Sequence, residues 1–217
     1  MRRFRITPVR LASAIAVGSL ACAGVAYAAS LGLASNKLHA WSQTLTKGTC
    51  NQTSTTADDT YVQQALPTST AGGTATTLTI SPLSGAQDYA FIRFDLSGCS
   101  LPTTAGADSA TLTVYVTTSG SDTISLFPVY SSWSSSTLTW NGVSGLSIGS
   151  TASTSFSAST SGTKTVTVTA DVDAAIKAGA LWGWELRATS GIASVAIGAS
   201  ENGTASKRPS MTLSYEK

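Results

Sequence analysis

Between Ser109 and Thr117 every second residue is apolar: Ala110, Leu112, Val114 and Val116 alternate with Thr111, Thr113, Tyr115 and Thr117. Only an extended backbone sends successive side chains to opposite faces, so this run reads as a strand with one dry side and one wet side. The same period recurs over Asp59 to Gln63, Thr76 to Ile80, Thr123 to Tyr130, Thr163 to Thr169, Leu181 to Ala188, Ala193 to Ala199 and Ser210 to Tyr215. Threonine and β-branched residues at alternate positions favour half-buried antiparallel sheets. One segment breaks the pattern: Asp171 can cap a short helix with Val172, Ala175 and Ile176 on one face, and Gly179 stops it. Gly149 to Gly162 is low in complexity and reads as a loop. The expected architecture is all-β, an antiparallel β-sandwich of jelly-roll type with about ten strands and one short helix.

Tyr89 to Leu96, YAFIRFDL, reads as the central strand. Ala90, Ile92, Phe94 and Leu96 form its core face. The other face carries Tyr89, Phe91, Arg93 and Asp95, two rings and two opposite charges in a chain with only 11% charged residues. A face of that composition is where a function would sit.

The N-terminus has the parts of a secretory signal: Arg2, Arg3, Arg5 and Arg10, an apolar run from Leu11 to Ala23, and Ala26-Tyr27-Ala28 before Ala29. The expected division is a signal peptide over 1–28, an extension over 29–57 and the sandwich over 58–217. The apolar run continues through Leu31 and Leu33, so an uncleaved membrane anchor is the rival, and Cys22 is a weak lipidation site. An added strand over Trp41 to Thr46 fits the extension.

Cleavage removes four of 13 basic residues while all 11 acidic ones remain, leaving 9 minus 11, or −2. No basic patch is left to recruit nucleic acid. Cys50 and Cys99 then pair most simply as a disulfide in an exported protein, closing a loop worth on the order of 4 kcal/mol.

Beyond Asp58 the chain has no histidine and no cysteine except Cys99. Nucleophilic Ser/His/Asp or Cys/His catalysis and a zinc site with nitrogen or sulfur ligands therefore lack their parts. His39, the only histidine, falls in the extension. Two-carboxylate glycoside hydrolysis stays formally open, but most of the eight Asp and three Glu fall in turns or at a helix start. No enzyme activity and no cofactor are expected. A structural calcium ion would have to draw on Asp58, Asp59 and Asp88 near strand ends.

Several landmarks come in a fixed order: Asp59-Thr60-Tyr61-Val62, the Tyr89 to Leu96 strand, Ala110-Thr111-Leu112, and Trp133-Ser134 with Thr137, Thr139, Trp140 and Asn141. Val166-Thr167-Val168-Thr169, Gly183-Trp184-Glu185-Leu186-Arg187, Ser200-Glu201 and Arg208-Pro209 follow. In this the chain resembles the DNRLRE domains of bacterial exported proteins, also classed as carbohydrate-binding module family 96, over about Asp58 to Tyr215. It departs from them at Ser135, where many members carry Glu, and in lacking a basic residue between Ser200 and Glu201. The resemblance implies a secreted β-jelly roll that binds polysaccharide, with alginate-like acidic polymers as the best-known ligand class.

Sugar rings pack their C–H faces on aromatic rings, and Arg offers two-pronged hydrogen bonds to carboxylates. Tyr89, Phe91 and Arg93 are the candidate ligand contacts, with Tyr115 extending their face and Trp133 the most exposed tryptophan amid its serines. The competing expectation is structural: Arg93 buried as an ion-pair partner of Glu201 or Asp95. Trp182 and Trp184 share one strand face and read as core packing. The expected activity is non-catalytic binding of an acidic extracellular or cell-wall polysaccharide. The alternative is a structural surface or matrix module without sugar, and in both cases a membrane is met only through a retained signal.

Overall fold

The computed structural model of the protein describes residues 47–53, 55–101 and 106–216. The signal segment, Cys22, His39 and the expected strand over Trp41 to Thr46 lie outside the described residues. Among the described residues eleven strands form two antiparallel sheets. In the first, β1 (Lys47–Gln52), β11 (Ser210–Glu216), β5 (Ala107–Thr118), β10 (Val195–Gly198) and β3 (Thr77–Ile80) follow in that order. The long β5 pairs β11 and β10 along successive parts of its length, and its other edge pairs β8 (Gly162–Thr167). The second sheet runs β2 (Ala57–Gln63), β4 (Asp88–Phe94), β9 (Trp184–Ser190), β6 (Thr123–Pro128), β7 (Thr154–Ser157). The chain changes sheets at nearly every connection, as a double-layered sandwich of Greek-key descent requires.

The alternation places the core as read. Ala90, Ile92 and Phe94 of β4 face Ala110, Leu112, Val114 and Val116 of β5, all buried in one cluster. Each fully buried Leu, Ile or Phe there contributes about 1.5–3 kcal/mol. The strand carrying YAFIRF is interior but not the middle one, which is β9.

Four expectations need correction. Lys47–Gln52, inside the expected extension, is a sheet strand paired with β11 along its whole length; with no apolar alternation it is held by backbone pairing and by Cys50. The low-complexity stretch contains β7, whose Phe156 is buried.

The third concerns the α-helices, of which the described residues contain two: α1 (Trp140–Val143) and α2 (Thr169–Ala178). Asp171 does not cap α2, whose N-cap is Val168. It lies within the first turn, favourable for a carboxylate, and its Oδ2 accepts from Trp184 Nε1 at 2.7 Å and Ser153 Oγ at 2.6 Å. Gly179 does end the helix, at φ +78°.

The fourth is the pair of tryptophans. Gly183 stands at φ +74°, and a Cβ there would sit 2.0 Å from the Ile92 carbonyl. That backbone sends Trp184 into the main core and Trp182 to the other side of the sheet, so they share no face.

Cys50 and Cys99 form the expected disulfide, with Cα atoms 5.7 Å apart. It ties β1 of the first sheet to the loop after β4 of the second. Among the described residues no helix is long and apolar enough to cross a membrane.

Candidate functional site

The outer face of the second sheet is not open. The chain from Val129 to Ile148 folds back across it, and Val62, Phe91, Val129, Trp133 and Leu138 make a second small core there. Phe91 is 0% exposed and Trp133 only 7%. The rings meet edge to face at 5.6 Å, and Trp133 Nε1–H donates to the Trp182 carbonyl at 2.7 Å. Neither can stack on a ligand. The serines around Trp133 mark a turn that buries its tryptophan rather than displaying it.

Antiparallel register explains the partner of Arg93. Asp58 of β2 stands directly opposite Arg93 of β4, and cross-strand neighbours are within side-chain reach. Asp58 Oδ2 accepts from Nη2 at 2.7 Å and Nε at 3.0 Å, while its Oδ1 accepts from the Ser135 backbone N–H at 3.3 Å. The guanidinium carbon lies 5.3 Å from the Trp133 ring centre and 5.5 Å from that of Trp182. The Arg93 and Asp58 side chains are 27% and 26% exposed, so the pair sits at the rim of the covered face rather than under it.

The expected pairing of Arg93 with Glu201 is therefore corrected. Glu201 is exposed at the far end of β10 and accepts from Ser200 Oγ. Asp95, the other expected partner, lies just past β4, where the Ser97 N–H donates to it at 2.8 Å and holds its pKa below the usual carboxylate value.

Tyr115 does not extend this face. It belongs to β5, on the outer side of the other sheet, with the Lys207 ammonium 5.4 Å from its ring centre. Tyr89 is half-buried, 4.8 Å from the Trp140 ring. Of the five expected ligand contacts, Phe91, Arg93 and Trp133 come together, with both rings sealed, while Tyr89 meets Trp140 further along the same face and Tyr115 lies on the other sheet.

A second arginine repeats the construction. Glu185 of β9 lies between Phe91 of β4 and Phe127 of β6 in the register. It is 0% exposed and pairs with Arg187, whose guanidinium carbon is 4.8 Å from the Tyr89 ring centre and 5.0 Å from that of Phe127. Burial pushes the Glu185 carboxyl up, and Arg187 works against that.

Beside Arg93 the surface opens into a depression of about 700 Å³, lined by Asp58, Arg93, Asp95, Leu101, Ile176 and Trp182. A second of about 350 Å³ adjoins it across Trp182, Leu181 and Ala180, with Tyr130 and Asp171 in its wall. Tyr130 is 62% exposed, the most exposed large aromatic among the described residues. Both lie in the groove between α2 and the second sheet. Pockets of this size, largely apolar with a few converging polar groups, are the usual form of ligand sites.

Sequence reasoning named Asp58 only as a calcium candidate and Trp182 as core packing, and did not single out Tyr130. Counting the β2–β4 register would have found Asp58; nothing in the pattern separated Tyr130 from a strand end. Among the described residues no three His, Cys, Asp or Glu side chains gather as around a metal ion. Of the three calcium candidates, Asp58 bonds to Arg93 and Asp59 to the Ser200 N–H, while burial raises the pKa of Asp88 and a hydrogen bond with Gln63 holds the rise back.

A comparison with curated proteins gives no match. A family model does match, over residues 51–215, from the last two residues of β1 to the last residue but one of β11. With a match of that extent, the chain belongs to carbohydrate-binding module family 96.

Proposed function

We propose that the protein is a non-catalytic, exported module that holds an acidic extracellular or cell-wall polysaccharide in the groove beside Trp182. The observation that carries this is the setting of Arg93 in the wall of the larger depression. Asp58 takes its Nε and Nη2, and two indoles fix its plane. Among the described residues Nη1 has no hydrogen-bonding partner, so it is left to meet a sugar carboxylate or hydroxyl from a position already ordered. The half-buried Trp182 supplies the apolar surface on which a sugar ring packs.

Export is supported by the basic and apolar N-terminal run with its Ala26-Tyr27-Ala28 site, and by a disulfide of the kind that persists in oxidising compartments. The non-catalytic reading is supported by the carboxylates of the groove. Asp58, Asp95 and Asp171 are engaged by Arg93, the Ser97 N–H, Trp184 and Ser153, and among the described residues no paired acid and base face one bond.

The test is affinity electrophoresis of the secreted chain through gels holding alginate, pectate, hyaluronan or a neutral glucan. Retardation by acidic gels, weakened by salt and lost in Arg93→Gln with an unchanged far-UV spectrum, is expected. Free migration in every gel would remove the binding reading and leave the alternative, a surface or matrix module whose Arg93 serves only Asp58.

A further inference from the structure

The groove beside Trp182 is two depressions joined end to end, and that shape bears on how much of a polymer it reads; the argument rests on the reading that the groove holds a polysaccharide. Ala175, Ala180, Leu181 and Trp182 line both depressions, so a linear chain seated in one continues into the other. Where the two meet, α2 contributes only the Ala175 methyl, too small to divide them. Asp95 and Ser97 line only the larger and Tyr130 only the smaller, and all three are exposed. The groove is therefore open to solvent on both sides of the shared wall.

Charge does not set the two depressions apart. Beyond the Asp58–Arg93 pair each carries one carboxylate, Asp95 in the larger and Asp171 in the smaller. What the smaller adds is an aromatic surface. Val129 packs into the small core, while its neighbour Tyr130 joins neither core and is 62% exposed. The backbone beneath that ring is nonetheless fixed. Tyr130 N–H donates to the Ser147 carbonyl at 2.8 Å, Val129 pairs with Ile148, and a Cβ on Gly149 would stand 3.5 Å from the Tyr130 hydroxyl. A ring held in this way meets a sugar face without first having to be ordered. In the same wall Asp171 has its Oδ2 taken by Ser153 Oγ and Trp184 Nε1, which leaves Oδ1 to accept from a sugar hydroxyl.

We infer that Tyr130 is a second sugar contact and that the protein reads the interior of a polysaccharide chain over consecutive residues. One residue lies against Arg93 and Trp182, and a later one against Tyr130 and Asp171. A chain end is not required.

The test is isothermal titration with oligosaccharides, from dimer to octamer, cut from whichever gel polymer retards the protein. The octamer is expected to bind at least tenfold more tightly than the dimer, about the worth of burying one ring face. Tyr130→Ala should lower octamer affinity about tenfold and leave the dimer, anchored at Arg93, within twofold. Tyr130→Phe should keep the gain. Octamers capped by reductive amination at one end, or carrying an unsaturated residue at the other, should bind as the uncapped ones do. A dimer that binds as tightly as the octamer, Tyr130→Ala unchanged at every length, or binding lost on capping would each overturn this inference and leave polysaccharide binding intact. Failure of every oligomer and of every polymer in the gel panel to bind would overturn the binding reading and this inference with it.

Discussion

The Ser200 backbone N–H donates to Asp59 Oδ2 at 2.8 Å, joining the end of β10 in one sheet to the inner side of β2 in the other. Asp59 is 1% exposed, and its Oδ1 has no hydrogen-bond partner. Burial drives its pKa from 3.8 to about 7, with the Glu201 and Asp58 charges adding to the rise and the Ser200 bond opposing it.

The sign of the pH dependence follows. Below about 3.8 folded and unfolded chains both hold the proton, and between there and about 7 only the folded chain does. Stability therefore falls with rising pH across that window, by a few kcal/mol for a shift of this size. Urea unfolding at pH 5 and pH 8 should show a lower midpoint at pH 8. Asp59→Asn, which keeps an acceptor for Ser200, should flatten the difference and gain most at pH 8. Equal loss of stability at both values would show that the carboxyl is ionised in the fold.

Trp133 and Trp182 stand within reach of the same guanidinium but should separate on mutation. Trp133→Ala opens a cavity under the 129–148 cover and leaves the Trp182 carbonyl without its donor. A loss of about 3–5 kcal/mol is expected. Trp182→Ala, at a half-buried position, should cost less in a thermal melt and abolish retardation in acidic gels. The opposite pattern, with Trp133→Ala stable and non-binding, would place the sugar on Trp133.

How much of this was legible varied with the kind of information needed. Period-two alternation placed Ile92, Phe94, Leu112 and Val114 in the core because burial acts on each strand separately. The outer face of YAFIRF was recognised as unusual, but whether Phe91 contacts solvent depended on a segment some 40 residues later folding over it. Placing Trp182 and Trp184 on one face assumes unbroken extended backbone. Gly183, at positive φ and pressed against Ile92 and Arg93, breaks it. Joining Tyr115 to Arg93 assumes that consecutive strands are neighbours, whereas in this sandwich β4 and β5 belong to different sheets. β1 was missed because KGTCNQ has no apolar face, and backbone pairing leaves no trace in composition.

The disulfide spans 49 residues and fastens an edge strand to the opposite sheet. Replacing Cys50 and Cys99 together by Ser should cost about 4 kcal/mol in the chain-entropy model. Reductant should lower the guanidinium midpoint of the wild-type chain towards that of the variant and leave the variant unmoved. A midpoint indifferent to reductant would mean that β1 is held by its pairing with β11 alone.

Glu185 and Arg187 should behave as a coupled unit. The carboxylate is fully buried in the middle strand, between two phenylalanines in the register, and Arg187 is the cation that compensates it. Arg187→Met strands a charge in the small core, and losses of this kind run to about 3–5 kcal/mol. The carboxyl of that variant would be pushed further up than in the wild type, so its stability should fall more steeply as pH rises from 5 to 8. Glu185→Gln/Arg187→Met, which removes both charges and keeps the shape, should recover much of the loss, a coupling of roughly 1–3 kcal/mol in a double-mutant cycle. Additive losses would mean that Arg187 is held by the Tyr89 and Phe127 rings and that Glu185 is already protonated at neutral pH.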